Sequence, residues 1–262
     1  MFWGAGCSGP LETRLIYFPD RTLRATPSDA GLPYEDLSLE TRDGVSINGW
    51  FVPKPGARAT MLWFHGNAGN MGDRVAQIKT YHDRWSVSQM LIDYRGYGKS
   101  GGQVSEEGTY EDGRAAIAYL LKDKGIPPGA LILFGRSLGA AIAVQMATEF
   151  KAAGLILETP FTSIRDLARH HYPLIGRVYP LAIRYASIDK IGRVTMPLLI
   201  LHGDRDSIVP FEQGERLFQS ANEPKCFFAI PGAGHNDILL RADNAYHLEV
   251  GRFIAHGVKA EE

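Results

Sequence analysis

The chain has 262 residues, 45% of them hydrophobic and 22% charged, and its 28 basic and 29 acidic residues leave a net charge of −1. That balance suits one globular domain with a sizeable core and excludes wholesale disorder, an acidic tail or a basic nucleic-acid-binding surface. No run of 18 apolar residues is present, so no stretch of the sequence reads as a membrane span.

At the N-terminus, Phe2-Trp3-Gly4-Ala5-Gly6-Cys7-Ser8-Gly9 has small residues before a cysteine and Ser-Gly after it, like the end of a lipoprotein signal. The charged and apolar regions that such a signal needs are missing. The stretch reads as a frayed terminus, with a lost upstream anchor as the alternative. The expected location is the cytoplasm for the chain as it stands, and a membrane if there is an anchor. Cys226 falls in a β-rich run and reads as an inert buried thiol. Two cysteines so far apart make neither a disulfide framework nor a metal site.

Residues 1–36, with Pro10, Pro19, Pro27 and Pro33, read as an irregular lead-in to a domain over 37–262. Leu37–Thr41 and Val45–Val52 read as an antiparallel hairpin, with Asp43-Gly44 supplying the left-handed positions of its turn. Apolar runs follow at Thr60–Phe64, Val87–Asp93, Ala130–Phe134, Gly154–Leu157, Pro197–Leu201 and Cys226–Ile230. Amphipathic stretches of helical length fall between them, near 71–84, 105–124, 138–150, 211–221 and 237–256. This alternation predicts an α/β fold, a mostly parallel central sheet with helices on both faces. Ligands bind such sheets at the carboxyl ends of the strands, so chemistry is expected just after the apolar runs.

After Thr60–Phe64 comes His65-Gly66-Asn67-Ala68-Gly69-Asn70. Here the backbone N–H of Asn67 is a candidate oxyanion donor, and the His65 ring reads as support for the loop. Asp93-Tyr94-Arg95-Gly96-Tyr97-Gly98-Lys99-Ser100-Gly101-Gly102 is glycine-rich but fails the phosphate-loop template, and reads as a turn. After Ala130–Phe134 comes Gly135-Arg136-Ser137-Leu138-Gly139. This is G-x-S-x-G between strand and helix, which marks Ser137 as a nucleophile and the Leu138 backbone N–H as the second oxyanion donor. Two donors aimed at one point stabilise a tetrahedral oxyanion, each worth roughly 10²–10³ in rate.

Residues 160–194 carry no strand signal and read as a cap of short amphipathic helices, with segments at 164–172 and 181–186. Phe161, Ile164, Leu167 and Tyr172 are its candidate pocket-lining residues. The cap is rich in arginine, which reads as an ordinary solvated face or as a contact with a membrane surface.

A serine hydroxyl needs a histidine to take its proton and a carboxylate to orient that histidine. His235 follows the last strand in Pro231-Gly232-Ala233-Gly234-His235-Asn236-Asp237, with Asp237 read as the cap of the final helix. The acid is read as Asp206, in His202-Gly203-Asp204-Arg205-Asp206. Asp204 and Glu158 are the alternatives, Asp204 being better placed as a turn residue. The resulting order of Ser, Asp and His along the chain matches neither the chymotrypsin nor the subtilisin arrangement.

Together with Leu15-Ile16-Tyr17-Phe18-Pro19 and Thr159-Pro160-Phe161-Thr162-Ser163, these motifs resemble the Bem46-like α/β-hydrolases from about Leu15 to near the C-terminus. Those proteins are related to serine aminopeptidase and prolyl-oligopeptidase catalytic domains. The resemblance implies an α/β-hydrolase fold, the same Ser137–Asp206–His235 triad, and acyl esters or thioesters as substrates, since relatives include depalmitoylases and lipid hydrolases. Small-molecule esters are therefore the expected partners. No nucleic acid, cofactor or metal is expected. Serine at the turn argues against dehalogenase and epoxide-hydrolase chemistry, which place aspartate there. A peptidase acting on short peptides and a non-catalytic scaffold are the competing readings.

Overall fold

The structure is a computed structural model that describes residues 10–174 and 179–257. The segment Phe2–Gly9, with Cys7, and the cap residue Arg177 lie outside those residues. The strands are β1 (Phe18–Pro19), β2 (Glu35–Glu40), β3 (Ser46–Val52), β4 (Thr60–Phe64), β5 (Ala68–Gly69), β6 (Ser88–Ile92), β7 (Leu131–Arg136), β8 (Gly154–Glu158), β9 (Leu198–Gly203) and β10 (Lys225–Ile230). The α-helices are α1 (Pro10–Ile16), α2 (Val75–Trp85), α3 (Glu106–Ala118), α4 (Leu138–Glu149), α5 (Ile164–His171), α6 (Phe211–Ser220) and α7 (Ile238–His256). Eight strands form one sheet in the order β10-β9-β8-β7-β4-β6-β3-β2. The β2–β3 and β3–β6 pairs are antiparallel and the others parallel, the expected hydrolase architecture with its N-terminal hairpin.

The central strands are buried on both faces, and their side chains alternate between two cores as the pleat requires. Leu62, Phe64, Leu133, Leu155 and Ile200 pack on one face with Ile117 of α3, Ile142 of α4 and Leu217 of α6. Met61, Trp63, Phe134, Ile156 and Leu199 pack on the other with Ile78 of α2 and Tyr246 and Phe253 of α7. Cys226 lies on the edge strand β10 and is half-buried, not enclosed as its apolar neighbours suggest. In the β2–β3 turn only Gly44 is left-handed, at φ 77°. The Asp43 carboxylate instead receives both terminal nitrogens of Arg95, at 2.7 and 3.0 Å, and Arg95 Nε donates to Asp112 at 2.9 Å. This network fixes the glycine-rich loop after β6 as a structural turn.

Two sequence expectations need correction. The lead-in is irregular only in part, over residues 20–26 and 31–34. It forms α1, and β1 then pairs in parallel with β5 (Phe18 with Ala68, Pro19 with Gly69), fastening the chain's start to the loop after β4. Its prolines do not prevent this, because Pro10 opens the helix, where its missing N–H is no loss, and Pro19 ends a two-residue strand.

The cap has the helix α5, begun by the Ser163 hydroxyl accepting the Asp166 N–H at 3.0 Å, but Leu181–Ala186 is not helical. Two carboxylates from elsewhere in the chain capture its backbone. Glu12 of α1 accepts the N–H groups of Ala182 (3.0 Å) and Ile183 (3.1 Å), and Glu106 of α3 accepts those of Arg184 (2.6 Å) and Tyr185 (2.9 Å). Those amides are thereby withdrawn from any helical ladder, and Tyr185 is left with φ 38°. Among the described residues no helix is long and apolar enough to cross a membrane.

Glu106→Ala should orphan two cap amides at once. We expect faster limited proteolysis within residues 179–186, and a loss of about 1–3 kcal/mol in urea-induced unfolding. Unchanged cleavage there would contradict the anchoring role of Glu106.

Candidate active site

The turn from β7 into α4 is so tight that Ser137 takes φ 53°, ψ −115°, a region strained for any residue with a side chain. Its own N–H is held by the Glu158 carbonyl at 2.9 Å. The flanking glycines are required by close approach. A Cβ on Gly135 would collide with the Gly139 carbonyl, and one on Gly139 with the Phe64 carbonyl at the end of β4. Strand, turn and helix thus touch backbone to backbone, and Ser137 reaches the cavity above the sheet edge.

His235 Nδ1 donates to Asp206 Oδ2 at 2.7 Å. The other oxygen, Oδ1, accepts the N–H groups of Ile208 (2.9 Å) and Val209 (2.8 Å). His202 is buried behind the pair; its Nε2 donates to the Val209 carbonyl at 3.0 Å and lies 3.5 Å from Asp206 Oδ2. Burial by itself would raise the Asp206 pKa. Hydrogen bonds from His202 and His235, the His235 field and the Val209 amide outweigh it and hold the carboxyl well below the usual carboxylate range.

The competing acids are otherwise engaged. Asp204 accepts the Gly232 N–H at 2.6 Å, as a turn residue does. Glu158 lies 2.8 Å from Arg136 Nε and accepts the Tyr246 hydroxyl at 2.6 Å. Asp237 stands at the N-cap position just before α7, but its side chain does not cap the helix. Its carboxylate accepts the Gly234 N–H at 2.6 Å and Arg241 Nε at 3.1 Å, which steadies the loop around His235.

Asn67 is clamped from three directions. Its side chain donates to the Ile16 carbonyl at 2.9 Å, and its carbonyl accepts Phe18 N–H at 3.0 Å and the Tyr97 hydroxyl at 2.8 Å. These bonds hold Asn67 in the wall of the cavity that Ser137 also borders. Leu138 opens α4, where the first N–H groups have no partner within the helix. His65 is fully buried, with Nδ1 2.7 Å from the Gly66 carbonyl, Nε2 3.4 Å from Asp93 and the Tyr94 ring 4.4 Å away. It braces the loop.

Ser137, His235, Asn67 and Leu138 all border one cavity of about 750 Å³, within the usual range for small-molecule sites. Phe161, Ile164, Leu167 and Tyr172 line it as well. The sequence reading missed several of its other walls. Leu15, Ile16 and Phe18 come from the lead-in, His171 from the end of α5, and Arg74 and Arg136 from the loops beside the serine. His171 Nε2 donates to the Ile208 carbonyl at 2.8 Å, joining the cap to the Asp206 loop. The signal for Arg136 was its place beside the serine in G-x-S-x-G. For the lead-in, it was the Tyr17-Phe18-Pro19 motif itself.

A family model described as serine aminopeptidase, S33 matches residues 55–191. An uncharacterized protein of Mycobacterium tuberculosis is 38% identical over 86% of this chain and 81% of its own length. The protein bem46 of Schizosaccharomyces pombe is 33% identical over 88% of this chain and 79% of its own. An esterase of Pyrococcus furiosus superposes with a TM-score of 0.77 over 93% of this chain and 99% of that one; at 18% identity, this likeness speaks for the fold alone.

The depressed Asp206 pKa has a definite sign. A carboxyl whose folded pKa lies below its unfolded value stabilises the fold at neutral pH, and that stability is lost as pH falls below about 4. Asp206→Asn should therefore flatten the acid limb of the stability–pH curve, measured by urea unfolding between pH 7 and pH 3. Gly139→Ala should cost at least ~2 kcal/mol through the clash with Phe64.

Proposed function

Since this chain belongs to the α/β-hydrolase family that includes Bem46, and so is a hydrolase, we propose that it cleaves carboxylic esters or thioesters through an acyl-enzyme formed on Ser137. The observation that carries the reading is the 2.7 Å Asp206–His235 bond set in the wall of the same cavity as the strained serine. With Nδ1–H held by Asp206, His235 presents Nε2 as the base. Ser137 Oγ attacks the acyl carbon and His235 takes its proton. The oxyanion is met by the Asn67 and Leu138 N–H groups. His235 then gives the proton to the leaving alcohol or thiol, and repeats the cycle with water to release the acid.

A peptidase role on short peptides is the weaker reading. Glu12 is the carboxylate in the cavity wall that could grip a peptide's amino terminus, and it is already held by two cap amides. A lipid-surface variant of the ester reading is favoured by the cavity rim. Leu15, Phe18, Tyr172 and Ile208 are 66%, 52%, 64% and 48% exposed while also lining the cavity. Under that variant the protein works at a membrane surface and acts on lipid-borne acyl groups, and it should pellet with anionic vesicles at low salt and be released by high salt.

A fluorophosphonate probe and a p-nitrophenyl ester series from acetyl to palmitoyl test the main reading. Labelling and turnover are expected from the native protein. Ser137→Ala should lose at least ~10³-fold in turnover and all labelling. Asp206→Asn should lose about 10⁴-fold in kcat with labelling slowed, because the histidine then holds the wrong tautomer. Native protein that neither labels nor turns over any ester would refute the reading.

A further inference from the structure

The cavity wall is chemically divided. From the cap come apolar groups, among them Phe161, Ile164 and Leu167. Two guanidinium groups also enter it, Arg74 from the 3-10 turn after the Asn67 loop and Arg136 from the end of β7. Arg136 is neutralised, with Glu158 2.8 Å from its Nε. Its Nη2 donates to the His235 carbonyl at 2.8 Å and to Asn236 Oδ1 at 3.1 Å, so this corner adjoins the catalytic histidine.

Arg74 has no such counter-charge. Its Nη2 donates to the Ala68 carbonyl at 2.6 Å, and among the described residues no carboxylate is ion-paired with it. The adjacent Asp73 is committed elsewhere. Its Oδ2 accepts the Asn70 N–H at 3.0 Å, and its Oδ1 lies 4.0 Å from Arg24. Burial first, and then the like charge of Arg136, push the Arg74 pKa down; the more distant fields of Asp73 and Asp93 oppose this without outweighing it. A half-buried guanidinium bonded to one neutral carbonyl in a largely apolar wall is costly to keep. An anionic ligand would offset that cost with a two-pronged, charge-assisted contact.

We propose that Arg74 is an anion-binding residue of this cavity, and that the preferred substrates carry an oxyanion group, a carboxylate or a phosphate-type group, on the leaving-group side. The inference rests on the ester-hydrolase reading for its account of the two sides. The apolar cap takes the acyl chain. The cationic corner lies by His235, which protonates the leaving group.

The test uses three butyrate esters that share one phenyl frame: 4-(carboxymethyl)phenyl, 4-(phosphonomethyl)phenyl and the neutral 4-(carbamoylmethyl)phenyl butyrate. At low salt we expect at least one anionic ester to exceed the neutral one tenfold in kcat/KM, about 1.4 kcal/mol. The gain should lie in KM and shrink as salt is added. The better anion of the two identifies the group preferred. Arg74→Gln, which keeps a donor for the Ala68 carbonyl, should bring all three esters within about twofold of one another. Arg74→Lys should retain an intermediate preference. Equal rates on the three esters with native protein, or a preference that survives Arg74→Gln, would overturn the proposal.

Calorimetric binding of the free products, 4-hydroxyphenylacetate, 4-hydroxybenzylphosphonate and 4-hydroxyphenylacetamide, reads the same contact without turnover. Tighter binding of an anion that Arg74→Gln abolishes supports the subsite even if no ester is cleaved, and that failure would count against the ester reading alone. Equal binding of the three products overturns the subsite.

Discussion

Backbone passes backbone with no side chain between them where α4 leaves β7, and the rest of the site is arranged around that contact. Gly135 and Gly139 allow Phe64, the turn and the first turn of α4 to touch. Only then can Ser137 be held in its strained conformation, and only then does α4 open at Leu138 beside it. The strain is sustained by a sheet whose central strands are buried on both faces. The loop of Asn67 starts where β4 ends, so the same approach also sets how near that loop comes to Ser137.

The other walls of the cavity are held by carboxylates acting on backbone amides. Asp206 uses one oxygen for two loop amides and the other for His235, so the group that orients His235 is itself oriented. Glu12 and Glu106 do the same for the cap segment that follows residue 180, and Asp237 for the loop before His235. Charged acceptors make shorter and stronger bonds than neutral ones, which suits them to fixing irregular chain where no sheet or helix ladder is available. Helix α1, the cap and the loop of His235 are thereby joined around one opening.

How much of this could be read beforehand follows from the range of each interaction. The strands and helices were legible because their apolar periodicity is local. Ser137, Asp206 and His235 could be singled out because each follows a strand in a short motif, and the structure brings Asp206 against His235 and sets His235 and Ser137 on one cavity. Leu181–Ala186 was misread as helix because its conformation is set by Glu12 and Glu106, 170 and 78 residues away in sequence. The lead-in was misread for the same reason, since β1 exists only through β5. Asp237 has the composition of a helix cap, yet its carboxylate is drawn to Gly234 and Arg241. Arg74 gave no signal at all. What distinguishes it is that, among the described residues, no carboxylate is ion-paired with it, and pairing is visible only in three dimensions.

Glu158 stands at the end of β8, a place from which some hydrolases of this fold draw their catalytic acid. Here Arg136 neutralises it, and Tyr246, whose hydroxyl burial keeps protonated, occupies its second oxygen. The two acid positions are therefore not interchangeable by a single change. Drift of the acid from the loop after β9 to the end of β8 would need Arg136 and Tyr246 to be replaced first, and each replacement alone would leave a buried carboxylate partly unpartnered. If Asp206 is the acid, as proposed above, what keeps Glu158 from replacing it lies in Arg136 and Tyr246, residues outside the proposed triad.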